Sequence, residues 1–122
     1  MADGLAVALL GPVSVRAADG TETALRGHAA HLLTWLALGD RAWTVDALAE
    51  RMWPDGPPAT ARTVIQGVVS RLRRVLGDDG PVRIETVPDG YRLRAVGDDP
   101  TRSPVDARRF RALVERAPSD AD

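Results

Sequence analysis

The sequence of 122 residues predicts a small α+β fold with an N-terminal antiparallel sheet, three helices and a C-terminal β-hairpin. Three observations predict it. Short β-rich runs separated by turn residues fill the first 25 positions, and apolar residues at helical spacing fill the middle of the chain. Two further β-like runs flank the turn Pro88-Asp89-Gly90. A hydrophobic fraction of 44% and a charged fraction of 27% suit a globular chain with an ordinary core.

The N-terminal part predicts a sheet followed by a helix. The run LAVALLGPVSVRA (5–17) is broken by Gly11-Pro12 and therefore predicts two short strands, and Asp19-Gly20 predicts a hairpin into a third strand. The first helix is expected from about His28 to Leu38, with Gly39 as its stop. Its apolar face consists of Ala29, Leu32, Leu33 and Leu36.

The middle of the chain predicts two helices in close succession. RAWTV (41–45) is expected to form one short extended segment, and Thr44 to cap the second helix. That helix should end at Pro54, and PDGPP (54–58) should form a rigid connection to a third helix that opens at Pro58 or Thr60. The buried face predicted for the second helix consists of Val45, Leu48, Ala49, Met52 and Trp53.

The third helix, TARTVIQGVVSRLRRVLG (60–77), contains four arginines and no acidic residue. A wheel at about 100° per residue, centred on Ile65, separates it into two faces. The predicted buried face consists of Ala61, Ile65, Val68, Val69, Leu72 and Leu76. The opposite face consists of Thr63, Gly67, Ser70 and Arg74, flanked by Val64 and Arg71 on one side and by Gln66 and Arg73 on the other.

The C-terminal part predicts the hairpin and one more helix. VRIETVPDGYRLR (82–94) reads as two strands with a tight tip, and GDDPTRSP after Val96 reads as a linker. The helix expected over 105–117 has Val105, Phe110, Leu113 and Val114 at helical spacing. It either packs on the main body or begins a second domain. We therefore predict a domain over 1–96, and over 97–122 a linker and helix.

Charge and composition exclude several classes of function. The net charge of -1 divides into -3 over 1–58, +3 over 59–94 and -1 over 95–122, so cations gather in one segment. No cysteine is present, and His28 and His31 lack an obvious third ligand, so we expect no metal and no cofactor. No nucleophile–base cluster or glycine-rich phosphate loop predicts an enzyme. No apolar run is long enough to span a bilayer, which favours a cytoplasmic protein without membrane contact.

Two helices joined by a short connection, the second of them basic, and then a hairpin describe a winged helix-turn-helix. In this arrangement the second helix of the pair lies in the major groove of double-stranded DNA. The groove floor needs small or hydrogen-bonding side chains, whereas the flanks need cations for phosphate. The residues predicted to contact DNA are Arg62, Thr63, Val64, Gly67, Ser70, Arg71, Arg73, Arg74 and, from the hairpin, Arg92.

Two segments carry a resemblance to a known family. VSRLRRVLG (69–77) followed by DGYRLR (89–94) resembles the recognition helix and wing of the OmpR-type winged helix. LLGPVSVRA and LAERMWPDGPPATARTVIQGVVSRLRRVLG resemble more closely the AfsR-like Streptomyces antibiotic regulatory proteins, over about residues 5 to 94. SPVDARRFRALVERA resembles the first helix of that family's bacterial transcriptional activation domain.

The resemblance implies a transcriptional activator. Such proteins bind direct repeats near promoter −35 elements, recruit RNA polymerase holoenzyme and pair as weak homodimers on DNA. It also implies that Arg71 reads a base, typically guanine, and that Arg73 and Arg74 contact the backbone, while Trp53 is either a core anchor or a phosphate contact.

A second hypothesis remains open: a winged-helix protein-interaction module whose arginines meet an acidic partner. Steep salt dependence and sequence preference on duplex DNA would separate the two. The acidic residue at the predicted wing tip, Asp89, weighs against the DNA hypothesis, because phosphate would repel its carboxylate.

Overall fold

The computed structural model describes residues 6–9, 12–17, 19–39, 41–77, 80–97 and 103–116. It has the α+β architecture that the sequence predicts, with four helices and two antiparallel sheets. In chain order the elements are β1 Val7–Ala8, β2 Ser14–Arg16, β3 Glu22–Ala24, α1 Gly27–Leu38, β4 Ala42–Thr44, α2 Val45–Met52, α3 Ala61–Leu76, β5 Val82–Val87, β6 Gly90–Ala95 and α4 Asp106–Arg116.

The three central helices share one apolar core, and the predicted faces are the buried ones. All six residues predicted for the inner face of α3 are buried, as are all four predicted for α1. On α2 the prediction is correct except at Trp53, which follows the end of the helix and is half-buried. Leu48, Ile65 and Leu72 are fully buried, so they fix how α2 and α3 pack.

Two three-stranded sheets flank the helices. The N-terminal sheet has the order β1-β2-β3, and Val15 of its central strand is fully buried. The second sheet has the order β4-β6-β5, so the short segment before α2 pairs with the distant hairpin. Trp43 stands opposite Tyr91, and Thr44 opposite Gly90. This pairing joins the hairpin to the helical body through backbone hydrogen bonds.

Gly90 is required where β6 pairs with β4. A β-carbon at this position would lie 1.8 Å from the carbonyl oxygen of Trp43, which no side chain can accommodate. The amide of Val45, at the start of α2, donates to the Asp89 carbonyl at 2.8 Å. Backbone contacts therefore hold the tip of the hairpin at the beginning of α2.

Two helix ends show different solutions to unpaired backbone groups. Thr44 caps α2 as predicted, since its hydroxyl accepts from the Ala47 amide at 3.0 Å. The carbonyls at the end of α1 are satisfied from elsewhere in the chain. The guanidinium of Arg108 in α4 donates to the carbonyls of Leu36, Ala37 and Gly39, and also to that of Leu93 in β6.

The described part of the C-terminal segment packs on the main body. The amides of Ala6 and Val7 donate to the Pro104 carbonyl at 2.7 and 3.0 Å, and Val105 is fully buried. The apolar residues at helical spacing on α4 are exposed to solvent. Phe110, Leu113 and Val114 are 58%, 51% and 56% exposed, so α4 contacts the body through Arg108 and the buried Ala112 rather than through those side chains. In the residues that the structure describes, no helix is long and apolar enough to cross a membrane.

Candidate nucleic-acid interface

The exposed face of α3 is basic, polar and free of acidic side chains. Thr63, Gly67, Ser70 and Arg74 are all exposed, as predicted for the face opposite the buried Ile65. The helix runs for 16 residues, which is about 24 Å at 1.5 Å per residue. With its side chains an α-helix is about 10–12 Å across, which fits the major groove of B-DNA, about 12 Å wide. Because its inner face is fixed in the core, the outer face has a defined orientation.

Gly67 lies at the centre of this face, in open space. A β-carbon added there would meet no atom within 4 Å. The fold therefore does not require a glycine at this position, although glycine costs about 1 kcal/mol relative to alanine inside a helix. A small residue in this place allows another surface to approach the helix backbone closely.

The cations of α3 surround this small centre. Arg62, Arg71 and Arg74 are exposed, and a hollow of about 500 Å³ is lined by Ser70, Arg73, Arg74 and Gly77. Val64 has less room than predicted for a base contact, since it is half-buried against the core. The arrangement offers donors on the flanks and small polar groups in the middle, which suits phosphate outside and base edges inside.

Arg73 makes contacts that the sequence prediction did not include. Its Nε and Nη2 donate to the Ile84 carbonyl at 3.1 and 2.9 Å, and Nη2 also donates to the Thr86 hydroxyl at 2.9 Å. The guanidinium carbon lies 5.8 Å from the centre of the Tyr91 ring. Its predicted contact with phosphate stays a prediction, and its observed contacts are with the hairpin.

The hairpin adds cations on its outer face. Arg92 is half-buried in the central strand β6, and Arg94 lies 3.6 Å from Glu85 in an exposed ion pair. Arg83 is exposed on β5 and lines, with Arg73, a cleft of about 330 Å³ between the end of α3 and β5. The period-two alternation in VRIETV places Arg83 outward, and this is the signal that identifies it.

The tip of the hairpin is acidic and has an unusual backbone. Pro88 and Asp89 form the turn between paired Val87 and Gly90, and Asp89 has a φ of 64°. Proline followed by a residue with positive φ matches a type II turn, in which the second central position is ordinarily glycine. Asp89 is exposed, so the turn of the hairpin carries an exposed carboxylate.

Trp53 and His28 lie against each other. The two rings are 5.2 Å apart and inclined at 60°, and Trp53 is half-buried against the core. The packing agrees with a core anchor, whereas a phosphate contact by its indole stays a prediction. Within the described ranges, no group of three or more histidine, cysteine or acidic side chains is arranged to hold a metal ion.

Comparison with known proteins identifies similar regulators. Residues 20–93 match the family model described as the C-terminal domain of transcriptional regulatory proteins. The regulatory protein AfsR of Streptomyces griseus is 38% identical over 96 residues, which are 76% of this chain and 9% of AfsR. The transcriptional regulatory protein EmbR of Mycobacterium tuberculosis is 44% identical over 52 residues, which are 40% of this chain and 13% of EmbR.

A solved structure resembles the fold as a whole. Mycobacterium tuberculosis EmbR, in complex with a low-affinity phosphopeptide, superposes with a TM-score of 0.69 at 33% identity. The match covers 87% of this chain and 28% of that one. The chain thus spans less than a third of the length of these relatives.

Proposed function

Because the chain belongs to the family of transcriptional regulatory proteins with an OmpR-type C-terminal domain, we propose that it binds double-stranded DNA sequence-specifically through α3. The predicted resemblance to the AfsR-like regulators is confirmed by these relatives. One observation supports the proposal above the others: the outward face of α3 combines exposed arginines with small residues and no acid, while its inner face is locked in the core.

Each side chain has a proposed role that follows from its place on α3. Arg71 reads a base, since a guanidinium matches the two acceptors of guanine. Thr63, Gly67 and Ser70 lie at the groove floor, and Val64 offers its exposed edge to a thymine methyl. Arg62 and Arg74 neutralise phosphates on the two flanks, and Arg92 approaches the backbone from the wing. Arg73 is left out of this set because its guanidinium is hydrogen-bonded to β5.

The biological role that fits this surface is activation of transcription in the cytoplasm. The domain binds direct repeats near promoter −35 elements, two copies pair weakly on DNA, and the complex recruits RNA polymerase holoenzyme. No cofactor or metal takes part in this proposal, and no catalytic step is involved.

Residues 97–122 have a separate proposed role as the start of a bacterial transcriptional activation domain. Phe110, Leu113 and Val114 project from α4 into solvent, and helices of such a domain would cover them. The Arg108 contacts to the end of α1 would then transmit the position of that domain to the winged helix.

A selection from random duplexes tests the proposal directly. The 122-residue chain should enrich one sequence, bind it with an affinity that falls steeply with salt, and prefer it over unselected DNA. Arg62→Gln and Arg74→Gln should weaken binding, whereas Arg16→Gln, the same charge change in the N-terminal sheet, should leave it unchanged. Promoter activation then requires a transcription assay with purified RNA polymerase holoenzyme and the selected site placed near the −35 element.

The rival function, binding of an acidic protein surface, predicts another result. Association with duplex DNA would then show no sequence preference, and random and selected duplexes would bind equally. Failure to enrich any sequence would contradict the proposal and favour this alternative.

A further inference from the structure

Arg73 lies on α3 between Arg71 and Arg74 and is exposed like them, yet its guanidinium is turned toward β5. Three hydrogen bonds join it to β5, two to the Ile84 carbonyl and one to the Thr86 hydroxyl. Ile84 and Thr86 are two residues apart and therefore lie on the same side of the strand. Tyr91, the strand partner of Thr86, adds its ring below the guanidinium at 5.8 Å.

We infer that Arg73 is a positioning residue that fixes the wing against the DNA-reading helix and does not contact phosphate. This inference rests on the proposed function, since it concerns how the two DNA-facing elements are held at one distance and angle. The hairpin is also paired with β4 through β6, and Arg73 adds a direct polar link from α3 to the outer strand β5. The wing then follows α3 as one unit.

The chemistry of arginine suits this role and that of lysine does not. The planar fork of the guanidinium donates from Nε and Nη2 to one carbonyl while the same Nη2 reaches a hydroxyl. A lysine has a single nitrogen on a flexible stem, so it keeps the charge but cannot make this set of contacts. A phosphate, in contrast, accepts either residue. Lysine at position 73 therefore separates the two roles.

Arg74 provides the matched control, because it is the next residue on the same helix and is exposed to solvent. Each phosphate that a protein neutralises contributes about 0.9 to the slope of log affinity against log salt. The chain, its Arg73→Gln and Arg73→Lys variants, and Arg74→Gln should be compared on one duplex selected from random sequence. Arg74→Gln should flatten the slope by about 0.9. Arg73→Gln and Arg73→Lys should weaken binding to the same extent and flatten the slope by no more than the phosphate contact of the wing, because lysine cannot replace the hydrogen bonds to β5. An Arg73→Gln slope flattened as in Arg74→Gln, with wild-type affinity restored by Arg73→Lys, would overturn the inference.

Two further measurements report the position of the wing. Without DNA, amide exchange of residues 84–87 and 90–92 should speed up in both Arg73 variants and stay as in wild type in Arg74→Gln. This arm needs no DNA binding, so it tests the Arg73 contact even if the proposed function fails. On DNA, hydroxyl-radical protection beside the major-groove contact should be lost in Arg73→Lys while protection at the major groove remains. The inference would be overturned if Arg73→Lys lost hydroxyl-radical protection equally at the major groove and beside it, or if the wild-type chain gave no protection beside the groove. It would also be overturned if amide exchange in the Arg73 variants stayed as in wild type.

Discussion

Gly67 is an unfavourable residue for the middle of a helix, and no contact among the residues that the structure describes requires it. Its missing side chain would point into open space at the centre of the exposed face of α3. We propose that an external surface, the floor of the major groove, accounts for a glycine at this position. A residue that weakens the fold but suits a partner is a sign of function.

Gly67→Ala should therefore have opposite effects on stability and on binding. Replacement of glycine by alanine in a helix should raise the free energy of unfolding by about 0.5–1 kcal/mol. Affinity for the selected duplex should fall, because the added methyl group holds the helix away from the bases. Urea unfolding and a binding titration measure the two effects, with Gln66→Ala on the flank of α3 as the control. Unchanged affinity in Gly67→Ala would mean that the helix backbone does not approach DNA closely.

Arg71 flanks the same face, about one helical turn from Gly67, and is the candidate for reading a base. Arg71→Ala should cost about 1–3 kcal/mol of binding free energy on the selected site and relax the preference at one base pair. Titrations against the selected duplex, its single-base variants and a random duplex measure this. An equal loss on all of them would identify Arg71 as a phosphate contact only.

At the scale of elements, α3 depends on the same side chains for its stability and for its orientation. Leu72 is fully buried between the helices, so Leu72→Ala should lower the free energy of unfolding by about 2–5 kcal/mol. Thermal or urea unfolding gives this value, and Ser70→Ala on the exposed face is the matched control. If both variants unfolded at the wild-type midpoint, the assignment of faces on α3 would be wrong.

We expect the acidic tip of the wing, Asp89, to oppose the proposed binding of DNA. Asp89→Asn removes the charge and keeps a residue that tolerates the positive φ of this turn. Repulsion between an exposed carboxylate and phosphate is modest, so affinity should rise about twofold to fivefold at low salt and less at high salt. Glu22→Gln in β3 makes the same charge change in the N-terminal sheet and should have no effect. No gain with Asp89→Asn would place the tip away from the duplex.

Sequence patterns predicted the elements well where the information is local. The faces of α1 and α3, the Thr44 cap and the tight hairpin follow from spacing and turn chemistry within a few residues. The pairing of β4 with β6 does not follow from local patterns. Trp43 and Tyr91 are 48 positions apart, and the sequence around Trp43 does not indicate which strand it pairs with.

Side-chain direction is the second limit of sequence prediction. A helical wheel places Arg73 on a flank, but it cannot show that Ile84 and Thr86 lie within its reach. Spacing on α4 likewise marks Phe110 and Leu113 as one apolar face, but it cannot show that this face is exposed while Arg108 contacts the end of α1. The partners of a long side chain depend on which distant residues the tertiary structure brings near it, and local periodicity carries no information about them.

At the scale of the whole molecule, the distribution of charge matters more than its sum. The first 58 residues carry -3 and residues 59–94 carry +3, so two copies arranged head to tail would bring unlike surfaces together. An attraction of this kind between exposed charges is weak and screened by salt. The domain is therefore expected to be a monomer or a weak dimer in solution, with DNA supplying the local concentration that pairing needs.

The spacing of two binding sites tests this arrangement. Copies on direct repeats separated by an integral number of helical turns face the same side of the duplex, and they should bind cooperatively. Insertion of about 5 base pairs, half of the roughly 10.5 of one turn, rotates the second copy to the opposite side and should abolish cooperativity without changing the affinity of each single site. Binding titrations on duplexes with graded spacers give both quantities. A tight dimer in ultracentrifugation without DNA would contradict the model, because a closed two-fold dimer presents its α3 helices to inverted rather than direct half-sites.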